Sequence, residues 1–146
     1  MERTPRILYA EDNLNDVELT LAAFEECNLE NQIDIVHDGN EALDYLFFKG
    51  KYQRREKTPP AFVLLDIKMP GIDGIEVLKI IRNSKDYKSL PVVMLTSSKM
   101  ETDVLTCYHI GANGFVVKPI DFTDFVDTIK GIGYFWAKLN TSPCKI

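Results

Sequence analysis

Phe62-Val63-Leu64-Leu65-Asp66-Ile67-Lys68-Met69-Pro70-Gly71-Ile72-Asp73-Gly74 is the stretch around which the chain is organised. It opens as a short apolar run, the pattern of a strand buried on both faces. The run stops on a lone carboxylate, Asp66. Pro70 and Gly71 then turn the chain, and Asp73 is placed to cap a new helix. An acid at the carboxyl end of a buried strand, just before the loop into a helix, stands where open α/β sheets put their chemistry. A strand-terminal Asp can also serve only its own turn, so the rest of the chain has to decide between the two.

The same strand–turn–helix grammar repeats on both sides of that stretch. Arg6 to Ala10 reads as a buried strand ending on Glu11-Asp12. Asn13 can cap a helix to about Cys27, with Leu14, Val17, Leu21 and Phe24 spaced for one face. Ile33 to Val36 is a second strand, and Asp38-Gly39 turns it into a helix bearing Ala42, Leu43, Leu46 and Phe47. The loop from Lys49 to Lys57 is polar and basic, and Thr58-Pro59-Pro60 closes it. After the central stretch a helix runs from about Gly74 to Asn83. Pro91 to Thr96 is the fourth strand, and Met100 to Ile110 a helix stopped by Gly111. Phe115 to Lys118 is the fifth strand, with Pro119 directly after it. Asp121 caps a last helix rich in aromatics, and Asn140 to Ile146 reads as a short tail. Strands alternating with helices at this spacing predict an α/β fold, a doubly wound five-stranded parallel sheet with short connections.

Composition narrows the function classes. The 146 residues suffice for one domain with one core, and 45% hydrophobic with 27% charged residues is ordinary for a soluble globular protein. A net charge of −5 argues against a nucleic-acid partner. Cys27, Cys107 and Cys144 are odd in number and widely spaced, which fits neither a metal motif nor a disulfide framework and predicts a reducing, cytoplasmic setting. His37 and His109 stand too isolated for a metal site or a triad. The N-terminus lacks a signal-peptide pattern, and no apolar run approaches membrane-spanning length.

Four of the five predicted strands end on a chemically useful group: Glu11 and Asp12, Asp66, Thr96, and Lys118. In a parallel sheet all these ends share one edge. In the order 2-1-3-4-5, the first and third strands flank the switch point, so the three acids meet in one crevice. Like charges about 5 Å apart repel by about 3 kcal/mol per pair at an effective dielectric of 20. Such a cluster calls for a cation, and an all-oxygen set suits Mg²⁺. With Lys118 as a fixed positive charge and Thr96 as a hydroxyl, these are the parts of a phosphoryl-transfer site. Lys118 alone reads as a surface lysine before a turn, and Thr96 alone as an ordinary strand residue; their joint placement on one edge makes the argument.

Glu11-Asp12, Leu65-Asp66, Met69-Pro70-Gly71-Ile72-Asp73-Gly74, Thr96-Ser97 and Lys118-Pro119 resemble the receiver domain of two-component response regulators, over about Arg6 to Leu139. More narrowly, Thr96-Ser97-Ser98-Lys99, Val117-Lys118-Pro119, the aromatic end Gly133-Tyr134-Phe135-Trp136 and the long basic loop look like the stand-alone regulators paired with cyanobacterial phytochrome kinases. The resemblance implies a flavodoxin-like receiver fold over residues 1–139, a short tail over 140–146 and no output domain. It implies that Asp66 is the phosphoacceptor, charged from a phosphohistidine on a phytochrome-like sensor histidine kinase. Asp12, Asp66 and the backbone carbonyl of Lys68 would bind Mg²⁺, with Glu11 acting through a metal-bound water. Lys118 would pair with the phosphoryl group, Thr96 would move to hydrogen-bond it, and Phe115 would be the switch aromatic that follows Thr96. The chain would not be an enzyme in the usual sense, but an acceptor that catalyses its own phosphotransfer and slow dephosphorylation.

Rival readings fare worse. A phosphohydrolase with an Asp nucleophile resembles D-x-D, but the second position after Asp66 is Lys68. A flavin-binding protein of this fold class needs a phosphate loop after its first strand, where Glu11-Asp12-Asn13 would repel phosphate. The alternative of a phosphorylation-independent pseudo-receiver predicts loss of Asp12, Asp66 or Lys118, and all three are present. The last helix holds more apolar surface than one buried face needs. Phe122, Phe125 or Val126, Ile129, Ile132 and Trp136 follow helical spacing and can cover the core. Tyr134 and Phe135 point elsewhere, and Gly131 and Gly133 should weaken the helix between. The expectation is a homodimer whose contact takes in Tyr134, Phe135 and Trp136, with output by protein contact and no membrane or nucleic-acid partner.

Overall fold

A computed structural model describes residues 6–143. Its five strands, β1 (Ile7–Ala10), β2 (Ile33–Val36), β3 (Phe62–Leu65), β4 (Val92–Thr96) and β5 (Gly114–Val117), form one parallel sheet in the order β2-β1-β3-β4-β5. Five helices connect and follow them: α1 (Leu14–Glu26), α2 (Gly39–Leu46), α3 (Gly74–Asn83), α4 (Glu101–Ile110) and α5 (Phe122–Gly133). This is the doubly wound parallel sheet that the alternation predicted, with the flavodoxin-like fold that the resemblance implied.

The central strands β1 and β3 are buried throughout because each face is covered, whereas the edge strand β2 carries the half-buried Asp34. Side chains alternate across a strand. Leu8, Ala10, Val63, Leu65, Val92 and Met94 face α2, α3 and α4, packing with Ala42, Leu46, Val77, Leu78, Ile81 and Cys107. Ile7, Tyr9, Phe62, Leu64, Val93 and Leu95 face the other way, with Val17, Phe24, Phe125 and Ile129 of α1 and α5. Four helices start on a side-chain cap of the predicted kind: Asn13 accepts from the Asp16 N–H at 3.1 Å, Asp38 from Glu41, Asp73 from Glu76 and Asp121 from Asp124.

Several expectations along the chain are corrected. Leu14 does not join the buried face of α1. It is 67% exposed, and Val17, Thr20, Ala23 and Phe24 form that face. Phe122 at the start of α5 is likewise exposed, leaving Phe125, Ile129 and Ile132 to cover the sheet. Gly133 is not simply a weak point. A β-carbon there would lie 2.9 Å from Phe24 Cε1 and 3.0 Å from Leu29 Cδ1, so its absence lets the end of α5 lie against α1. The chain then continues as a π-helical turn, Tyr134–Leu139. The described part of the tail returns to the sheet: Ser142 is fully buried and its hydroxyl donates to the Ala61 carbonyl at 2.8 Å. Cys27 and Cys107 are free thiols, and Cys144 lies outside the described residues. Among the described residues no helix is long and apolar enough to cross a membrane.

Candidate functional site

Backbone register assembles the site. Ala10 pairs with Leu65, and the Asp66 N–H donates to the Ala10 carbonyl at 3.2 Å, which sets Asp66 beside Glu11 at the ends of two adjacent strands. Across the sheet the Lys118 N–H donates to the Thr96 carbonyl at 2.8 Å, locking the ends of β4 and β5 together. The loop after Asp66 is closed by the Gly74 N–H on the Ile67 carbonyl at 2.7 Å. Asp66 is therefore held from both sides and is only 5% exposed.

Carboxylate oxygens of Glu11, Asp12 and Asp66 lie within 4.8 Å of one another. Asp12 is exposed while the other two are buried. Asp66 Oδ1 accepts from the Ile67 N–H at 2.7 Å, and Asp66 Oδ2 accepts from Lys118 Nζ at 3.1 Å. Lys118 Nζ also stands 2.6 Å from Glu11 Oε1, although off the line of a well-directed hydrogen bond, and donates to Asp16 Oδ2 at 2.8 Å. Three acids thus surround one ammonium, with Asp12 beside two of them, and the crevice is short of positive charge. Its chemistry shows it. Burial pushes the Glu11 carboxyl up to about 8, against the opposing pull of Lys118 and with Asp66 adding to the push. Burial works against the Lys118 ammonium, but its bonds to Asp16 and Glu11 and the charge of Asp66 outweigh burial and raise its pKa. A buried, under-neutralised cluster of oxygen ligands with one poorly satisfied atom, Glu11 Oε1, fits a hard divalent cation such as Mg²⁺.

The remaining expected residues fall around this centre. Thr96 is fully buried, and its hydroxyl oxygen accepts from the Ser98 N–H at 3.2 Å. Phe115 pairs in register with Met94 and packs, partly buried, on the α2–α4 side of the sheet. The Lys68 side chain is exposed in the loop after β3. His37 is exposed, with Nδ1 3.2 Å from the Glu11 carbonyl oxygen. Tyr134 and Phe135 are exposed, but Trp136 is turned inward, its ring 6.4 Å from that of Phe62 and edge-on to Phe135 at 5.0 Å. Asp16 was not anticipated.

The profile of the response regulator receiver domain matches residues 7–130. The chain belongs to this family. FilR2 of Methanothrix harundinacea, a probable methanogenesis regulatory protein, is 36% identical over 94% of this chain and 86% of its own length. The response regulator Rcp1 of Synechocystis is 33% identical over 94% of this chain and 92% of its own. Its Mn²⁺-bound crystal structure aligns with a TM-score of 0.87 at 31% identity, over 95% of this chain and 99% of that one. The phosphorylated cyanobacterial phytochrome response regulator RcpA aligns with a TM-score of 0.90 at 32% identity, over 97% of this chain and 99% of that one. The receiver is therefore of the two-component type and related to phytochrome response regulators.

Proposed function

We propose that this receiver takes a phosphoryl group onto Asp66 from a phosphohistidine of a phytochrome-like sensor histidine kinase. The observation that supports it best is the convergence on Asp66 of the Glu11 and Asp12 carboxylates and the Lys118 ammonium, 3.1 Å away. An Asp66 carboxylate oxygen attacks phosphorus and the P–N bond to the donor imidazole breaks; the electron pair stays on nitrogen, and the ring, protonated on its other nitrogen, leaves neutral. The product is an acyl phosphate on Asp66. Asp12, Asp66 and the Lys68 carbonyl would hold a divalent cation such as Mg²⁺, with Glu11 acting through water, and the cation would supply positive charge to the phosphoryl oxygens. Lys118 pairs with a phosphoryl oxygen. Thr96 gives up the Ser98 N–H and turns its hydroxyl to another, and Phe115 follows into the space so opened. The likeness to Rcp1 and RcpA supports the choice of kinase class.

Output is proposed to run by protein contact in the cytoplasm, without nucleic acid, in keeping with the net charge of −5. A homodimer through the exposed end of the α5 segment, around Tyr134 and Phe135, is part of the same reading.

Incubation with Mg²⁺ and a small acyl-phosphate donor, followed by intact mass, tests the acceptor. Wild type should gain one phosphoryl mass, and Asp66→Asn or metal chelation should abolish it. An adduct of unchanged yield in either case overturns the assignment.

A further inference from the structure

The ammonium of Lys118 has three N–H donors. Three carboxylate oxygens already stand around it: Glu11 Oε1 at 2.6 Å, Asp16 Oδ2 at 2.8 Å and Asp66 Oδ2 at 3.1 Å. A phosphoryl group brings close to two negative charges and three strong acceptor oxygens. Lys118 can bind the first of those oxygens with the donor that Asp66 gives up on phosphorylation, and a second only by letting go of Glu11 or Asp16.

The three partners are not equal. Glu11 is fully buried, so its carboxyl has no water to turn to in place of Lys118. Asp66 carries the phosphoryl group itself. Asp16 has a side chain 21% exposed, on the first turn of α1, and can turn to water. The start of the helix does not depend on its carboxylate either. Asn13 caps the Asp16 N–H, and the Asn13 N–H, which an acid at the third helical position often takes, donates instead to Glu11 Oε2 at 3.2 Å. The Asp16 carboxylate is thereby left for Lys118, 102 residues away in sequence.

We infer that Asp16 is a positioning residue that competes with the phosphoryl group for Lys118, holding the lysine in the unphosphorylated protein and being released when the phosphoryl group arrives. The inference rests on the reading of Asp66 as acceptor. Its consequence is a second route out of the site. Releasing Asp16 frees the first turn of α1, a helix whose Val17 and Phe24 pack with Phe125 and Ile129 of α5. The state of Lys118 is therefore legible at α1 as well as at Thr96.

The test is a titration of the Mg²⁺-loaded protein with beryllium trifluoride, a tetrahedral phosphoryl mimic, followed by amide NMR. Wild type should saturate, with shifts in the amides of Leu14 to Val17. In Asp16→Asn the competing charge is gone, so half-saturation should fall about fivefold, the scale of a partly exposed ion pair, and the α1 shifts should shrink. Asp16→Ser is a second neutral variant should Asp16→Asn fold poorly, and Asp16→Glu should move half-saturation back toward wild type. Folded neutral variants that bind the mimic no more tightly than wild type, with unchanged α1 shifts, overturn the inference while leaving the acceptor reading intact. A wild type that shows no saturable binding overturns both.

Discussion

The carbonyl oxygen of Asp66 lies only 2.0 Å from the point where a β-carbon on Gly74 would stand. The start of α3 is thus pressed against the end of β3, and the eight-residue loop between them, Asp66 to Asp73, closes on a hydrogen bond between Gly74 and Ile67. Any side chain at position 74 must push that backbone apart and move Asp66 with it. Gly74→Ala should lose about 1–3 kcal/mol of stability, the usual cost of overpacking, and should also slow adduct formation, because Asp66 loses its register with Glu11 and Lys118. Thermal melts and intact-mass time courses check both; a variant matching wild type in each refutes the argument.

The groups at strand ends were legible because a parallel sheet converts sequence position into location. An apolar run that stops on a polar residue puts that residue on one edge, and Glu11, Asp12, Asp66, Thr96 and Lys118 could be placed in this way. Asp16 could not. An acid in the first turn of a helix is fully accounted for by capping and by the helix dipole, so nothing in its spacing pointed to Lys118. Only the fact that Glu11 takes the Asn13 N–H, which depends on three-dimensional geometry, frees Asp16 for another partner. Leu14 and Phe122 misled for the opposite reason. Both fit a helical apolar stripe, but each is the first residue of its helix, where the chain has not yet come down onto the sheet. Ser142 was read as tail because a buried serine with a backbone partner leaves no periodic trace.

Glu11 should make the metal-free protein less stable as pH rises. Its carboxyl is pushed from an ordinary 4.5 up to about 8, chiefly by burial, so the folded state holds a proton that the unfolded chain releases. Its contribution is fully present below about 4.5 and is lost as pH climbs through about 8. Glu11→Gln should flatten the slope of stability against pH across that window. Denaturant melts of both proteins in chelator, at pH values spanning it, check this; parallel slopes count against it.

The Thr96 hydroxyl is buried and engaged by Ser98, so it reaches a phosphoryl oxygen only by turning away from that N–H. The neighbouring strand holds Phe115 in contact with the core, next to Met94. Thr96→Ala should still form the Asp66 adduct, since Lys118 and the acids are untouched, but the phosphorylation-linked change at Phe115 should disappear. Fluorine-labelled phenylalanine gives the readout. An unaltered change at Phe115 in the variant rules out Thr96 as the relay.

Self-association concerns the far end of the last helix. Tyr134 is 55% exposed, Phe135 47% and Leu139 58%, which puts three large apolar side chains on one π-helical turn. Trp136, which the helical spacing set toward the core as well as beside the expected dimer contact, packs on Phe62 and braces the Phe135 ring edge-on. The proposed dimer contact therefore centres on Tyr134 and Phe135, with Trp136 as the support beneath. A two-fold arrangement would make this patch its own complement. Analytical ultracentrifugation should find a dimer of the wild type in the micromolar range. Phe135→Asp combined with Tyr134→Ser should give a folded monomer that still melts cooperatively, because both side chains are about half exposed. Trp136→Ala should behave differently, losing stability by about 3–5 kcal/mol or somewhat less for its partial burial. A wild type that stays monomeric at high micromolar concentration, with and without the phosphoryl mimic, excludes the dimer.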